Sequence, residues 1–214
     1  MSHVDADGQE LIDGNQTSDA EFETRSFDRG NLEEHRYTNC QFTNCSFRSA
    51  RLEASSLEQC VLTECDFTGA RLGSGLLKSC LFVRCDLTDL RLSGATLTNC
   101  RFIECNLRGA QLNMAEISGG DFSHCDLSMQ ELDGARLVGI RFVSADLRHV
   151  RFVKADLREA VFDQALMEGA SLKNADLRGA SFAGVDLTTV ALKGATVDLA
   201  IAMHFARSYG LKIE

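Results

Sequence analysis

Apolar residues recur at every fifth position of this chain without a slip. Phe22, Phe27, Leu32, Tyr37 and Phe42 begin the series, Leu187, Leu192 and Val197 end it, and all thirty-six positions are apolar. An α-helix repeats its apolar stripe at about 3.6 residues and a half-buried strand at 2, so neither explains a period of five. A chain that turns a corner every five residues does. The large residue at the centre of each repeat is preceded two positions earlier by a small one, as at Cys40, Cys45, Ala50, Cys60, Ala155 and Ala160. A spacing of two puts both on the same side of a short extended segment. Arg25, His35, Leu90, Gln130 and Ile140 are exceptions at the small position. Ten of the seventeen glycines fall two residues after a centre, Gly69, Gly109, Gly139 and Gly179 among them, where a corner needs positive φ.

Four such sides close a coil of twenty residues, and coils stack about 4.8 Å apart through main-chain hydrogen bonds. The stacking demands columns at a spacing of twenty, and they are present. Centres 22, 42, 62 and onward to 182 are Phe except Leu62, and centres 32 to 192 are Leu except Phe152. The chain has no proline, as an uninterrupted ladder of backbone donors requires.

Repeats such as Ala145-Asp146-Leu147, Ala155-Asp156-Leu157 and Ala175-Asp176-Leu177-Arg178-Gly179 resemble those of the pentapeptide-repeat proteins, and the resemblance covers 180 of 214 residues. It implies an all-β fold, a right-handed quadrilateral parallel β-helix. About nine coils at roughly 4.8 Å make a rod some 43 Å long. The expected divisions are an acidic N-terminal leader or cap at 1–21, the β-helix at 22–197, and a C-terminal helix and strand at 198–214. Asp198 is placed to cap the start of that helix and Gly210 to end it. Leu211, Lys212 and Ile213 alternate like a short strand. Leu199, Ala202, Met203, Ala206, Leu211 and Ile213 form an apolar set that either caps the rod or joins two rods as a homodimer.

The nine cysteines all occupy the small inward position, in columns 40, 60, 80, 100 and 45, 65, 85, 105, 125. Buried free cysteine behaves as a small hydrophobe, so neither disulfides nor a metal array is expected. The histidines are scattered, and Gly73-Ser74-Gly75-Leu76-Leu77-Lys78-Ser79 lacks the glycine before lysine that a phosphate loop needs. A filled rod offers no cleft for chemistry, so no catalytic residue, cofactor or metal is expected and the chain reads as non-enzymatic.

Formal net charge is −9. The first 21 residues contribute −6 of it, the repeats −3, and the C-terminal segment nothing. This disfavours direct nucleic-acid binding, which needs clustered Lys and Arg. No apolar run approaches a membrane span of about 18 residues, and the N-terminus has no basic and apolar signal, so a cytoplasmic location is expected. The side centred on Phe27, Phe47 and Phe67 carries an acidic strip, with Asp66, Asp86, Asp89, Asp126, Asp146 and Asp186 as candidate partner-binding residues. The phenylalanine side places Val61, Leu81, Val83, Ile103, Val143 and Val161 outward, a second candidate surface. The family resemblance implies a DNA-mimic dimer that binds DNA gyrase or topoisomerase IV and protects it from quinolones or other poisons. The alternative is an adaptor, immunity or scaffold rod that binds protein through the apolar strip.

Overall fold

The computed structural model describes residues 15–212 except residue 113, together with the backbone of two short antiparallel strands, His3–Val4 and Glu10–Ile12. From residue 16 onward the chain is a parallel β-solenoid with a register of twenty. Its first side is a five-stranded sheet, Glu21–Glu23, Gln41–Thr43, Val61–Thr63, Leu81–Val83 and Arg101–Ile103. Its fourth side is a six-stranded sheet running from Gln16–Ser18 to Glu116–Ser118. The second and third sides, centred on Phe27 and Leu32, hold isolated parallel bridges instead, such as Ser46↔Asp66 and Arg51↔Arg71. There each corner closes on itself, as where the Ala70 N–H donates to the Phe67 carbonyl at 2.9 Å. Past residue 118 all four sides take that turn form, and the ladder continues to Asp176↔Thr196. The ladder starts at Gln16, ahead of the first apolar centre, because Thr17 occupies a centre position and apolar counting passes over it.

The core is the predicted set of columns. Phe82, Phe102 and Phe122 stack at 4.8 Å, and Phe27, Phe47 and Phe67 at 4.6 and 4.4 Å. Four of the five exceptional residues at small positions are buried, His35, Leu90, Ile140 and Gln130, and Arg25 is exposed. Gln130 satisfies its amide by donating to the Leu107 carbonyl at 2.7 Å. Ile140 fills the space left by Gly120 one coil earlier, its Cδ1 lying 3.3 Å from where a Gly120 Cβ would stand.

Thirty-five of the thirty-six corners between 19 and 194 have positive φ; Thr189 is the exception. Glycine fills ten and other residues twenty-five, so the corner demands the left-handed conformation far more often than it receives glycine. Non-glycine corners hold because their N–H groups are locked into the ladder, as Ala54 is to the Gly73 carbonyl at 3.2 Å.

The C-terminal helix spans Leu199–Ser208. Asp198 caps it by accepting from the Ile201 N–H at 3.0 Å and also accepts from the Gly179 N–H at 2.7 Å, tying helix to rod. Its end is a Schellman motif: Gly210, at φ +75°, donates to the Arg207 carbonyl and Leu211 to that of Ala206. Leu211 and Lys212 are not in strand form, and Ile213 lies outside the described residues.

Candidate protein-binding surfaces

The aspartates before the centres do local work first. Each accepts the N–H two residues on, closing an Asx turn over the corner: Thr68 to Asp66 at 2.8 Å, Thr88 to Asp86 at 3.0 Å, Ser128 to Asp126 at 2.9 Å, Arg148 to Asp146 at 3.1 Å and Thr188 to Asp186 at 2.9 Å. That explains why Asp or Asn precedes the centre, a reason that charge counting misses. Arginines on the same side also neutralise much of the strip. Arg48 meets Asp66 at 2.6 Å, Arg148 meets Asp146 at 2.5 Å and Arg108 approaches Asp126 at 3.9 Å. The Arg148 guanidinium holds the Asp146 carboxyl below the usual aspartate range. Among the described residues no basic group pairs with Asp86, Asp89 or Asp186. Asp86 and Asp89, three residues apart with Asp89 on a left-handed corner, are therefore the uncompensated centre of the strip.

The fourth side shows why the rod is nearly neutral. Arg158 pairs with Asp156 at 2.8 Å and Arg178 with Asp176 at 2.6 Å. These are the same Asx aspartates, reached by the arginine two positions later.

On the phenylalanine side Val61, Leu81, Val83 and Ile103 form one block. Leu81 pairs in register with Val61, and Val83 with Ile103. Val61 is the most open of them at 36% exposure; Leu81, Val83 and Ile103 are half-buried. Val143 and Val161 lie further along, separated from the block by Arg101, Asp121 and Arg141. Arg101 and Arg141 both reach toward Asp121, at 4.0 and 3.9 Å.

The C-terminal helix docks through Ile201, which is buried, and Phe205, whose ring meets Phe182 edge-on at 5.7 Å. Leu199, Ala202 and Leu211 face outward, and Met203 and Ala206 are half-buried. Tyr209 is exposed as well, which the sequence pattern did not single out. All nine cysteines are buried and free. The hydrogen bond from the next thiol in the column, then burial, push Cys85 and Cys105 up to about 12. Among the described residues no helix is long and apolar enough to cross a membrane.

A solenoid of five-residue sides with exposed surfaces defines a class of repeat scaffold, and the sequence places the chain within it. The family described as pentapeptide repeat region matches at residues 35–112 and 115–192, so the chain belongs to the pentapeptide-repeat family. No curated protein sequence matches it. Among solved structures it is similar to two trypsin-treated variants of QnrB1, a plasmid-mediated fluoroquinolone resistance protein. One superposes with a TM-score of 0.81 at 23% identity over 93% of this chain and 100% of the other, and the second at 0.81 and 22% over 92% and 99%. Full-length QnrB1 superposes at 0.57 and 21% identity over 92% of this chain and all of its own.

Proposed function

We propose that this chain is a non-enzymatic protein that binds DNA gyrase or topoisomerase IV in the place of DNA and protects it from quinolones or other poisons. The observation that carries the reading is the extent of the likeness to QnrB1. It runs through 93% of this chain and the whole of the trypsin-treated variant's chain, rather than through a few repeats. Asp86 and Asp89, with Asp186 further along, would supply the negative charge that a DNA-binding surface accepts. Leu199, Ala202, Met203, Ala206 and Leu211 would pair two rods end to end, giving a longer rod than one chain offers.

The test is a gyrase supercoiling assay with a quinolone. Purified protein should restore supercoiling and compete with DNA for the enzyme, and Asp86→Lys with Asp89→Lys should weaken both effects about tenfold. Absence of rescue and of competition would overturn the reading. Met203→Asp should turn a dimer into monomers in sedimentation; an unchanged dimer would release the helix from that role.

A second reading rests on a separate observation, the paired block of Val61, Leu81, Val83 and Ile103 on a regular five-stranded sheet. It is an adaptor that binds a protein partner through this side. A chain that neither rescues gyrase nor competes with DNA, yet loses a pull-down partner on Val83→Glu with Ile103→Glu, would favour it.

A further inference from the structure

On the third and fourth sides the ladder is open at one place among the described residues. Elsewhere on the third and fourth sides, residues twenty apart are joined by a repeating set of bonds, such as Leu92 N–H to the Gln111 carbonyl and Leu132 N–H to that of Arg151. Between the coil at 110–119 and the coil at 130–139 that set is missing. Among the described residues the N–H groups of Leu112, Ile117 and Gly119 do not reach the carbonyls of Glu131, Arg136 and Val138, and those of Glu131 and Arg136 do not reach Ala110 and Ala115. The Arg136 guanidinium, which the register would stack on Glu116, forms no ion pair there. The first and second sides remain bridged, at Asp121↔Arg141 and Asn106↔Asp126. At the gap the fourth side is strand at Glu116–Ser118 and turn at 136–139.

The opening is a groove. Thr96, Thr98, Glu116, Ile117, Arg136 and Val138 line a cavity of about 670 Å³ on the fourth side, and two smaller ones of about 430 and 360 Å³ continue it round the third. At its rim stand Met114, 85% exposed, and Met129, 67% exposed, two apolar side chains on left-handed corners.

We propose that this seam is an acceptor site for an extended polypeptide segment that adds as a strand along Glu116–Ser118. The edge offers the Ala115 carbonyl, the Ile117 N–H and the Gly119 N–H at a spacing of two, the pattern by which a parallel strand is bound. Only another main chain offers donors and acceptors at that spacing. The opposite edge of Glu116–Ser118 already holds a parallel strand, Thr96–Thr98. Methionine suits a rim that must accept varied side chains. This site is independent of the gyrase reading, because it lies away from the acidic strip and the C-terminal helix.

Hydrogen–deuterium exchange on the intact protein tests it, with a synthetic peptide copying residues 92–101 as the probe, since its central Thr96–Thr98 segment is known to pair with this strand. Without peptide, fragments covering 112–119 should exchange at least tenfold faster than those covering 92–99. Excess peptide should slow the 112–119 fragments at least tenfold and leave the first-side fragments at 61–63 unchanged. A peptide of the same composition in scrambled order, and one N-methylated at the position of Leu97, should have no effect. Unchanged exchange with the peptide would overturn the proposal, as would equal protection by the scrambled or methylated peptide, or a seam as protected as its flanking coils in the free protein.

Discussion

Replacing Gly139 with alanine isolates the cost of one corner. Gly139 sits at φ +68°, and a Cβ built there meets nothing within 4 Å, so no clash enters the account. Its N–H donates to the Arg158 carbonyl at 2.8 Å, and that bond survives the change. What remains is the backbone term. The left-handed conformation costs an L-residue about 1–2 kcal/mol, while alanine also narrows the unfolded ensemble and returns about 0.4–1 kcal/mol. Gly139→Ala should therefore destabilise the rod by about 1 kcal/mol. Ala54→Gly is the converse. Ala54 holds φ +55° with an exposed methyl and should gain stability of similar size. Gly169→Ala should cost more than Gly139→Ala, because its Cβ would lie 2.4 Å from the His149 Nδ1 and the imidazole must move. Urea unfolding at equal slope, followed by circular dichroism, reads all three as midpoint shifts. A neutral Gly139→Ala, or an Ala54→Gly that destabilises, would refute the claim that corner conformation sets these positions.

Three further outcomes follow from the geometry. A thiol reagent should leave the native protein unmodified at neutral pH and label nine cysteines after unfolding, since all nine are buried; rapid native labelling would contradict the packed columns. Arg148, Arg158 and Arg178 hold Asp146, Asp156 and Asp176 below the usual aspartate range, so their stabilisation is complete above the ordinary value and disappears as pH falls through the lowered ones. The unfolding midpoint should be flat above about pH 5 and fall below about pH 4, and less steeply in a triple Asp→Asn variant that keeps the Asx turns. Phe102→Ala should cost about 4 kcal/mol and Phe102→Leu about 1.5, because the ring stacks on two neighbours but leucine is accepted in the same column at Leu62; equal costs would deny the column its aromatic stacking.

The fold was legible because one period governs every level at once. A centre must be large and the residue two before it small, or the coil does not close, so Phe22 to Val197 spell out the sides, the columns and the inward cysteines. The helix was legible through its ends, where Asp198 and Gly210 have residue-specific work. The surfaces were less so, because an outward residue answers to several demands. Asp66, Asp126 and Asp146 look like charge for a partner when counted along one side. In three dimensions they hold corner amides and meet arginines whose distance in sequence, eighteen for Arg48 and two for Arg148, follows from coil geometry rather than from proximity. The seam was hidden for a different reason. Its apolar centres, Leu112, Ile117, Leu132 and Leu137, keep perfect time, so the period passes through the break without registering it. Only the small position gives a sign, in the succession Gly120, Gln130 and Ile140, where packing departs from the rule within a single coil. A strict repeat reports its core faithfully and its hydrogen-bond ladder only indirectly, so an irregularity in the small column is the place to look for a site in a rod of this kind.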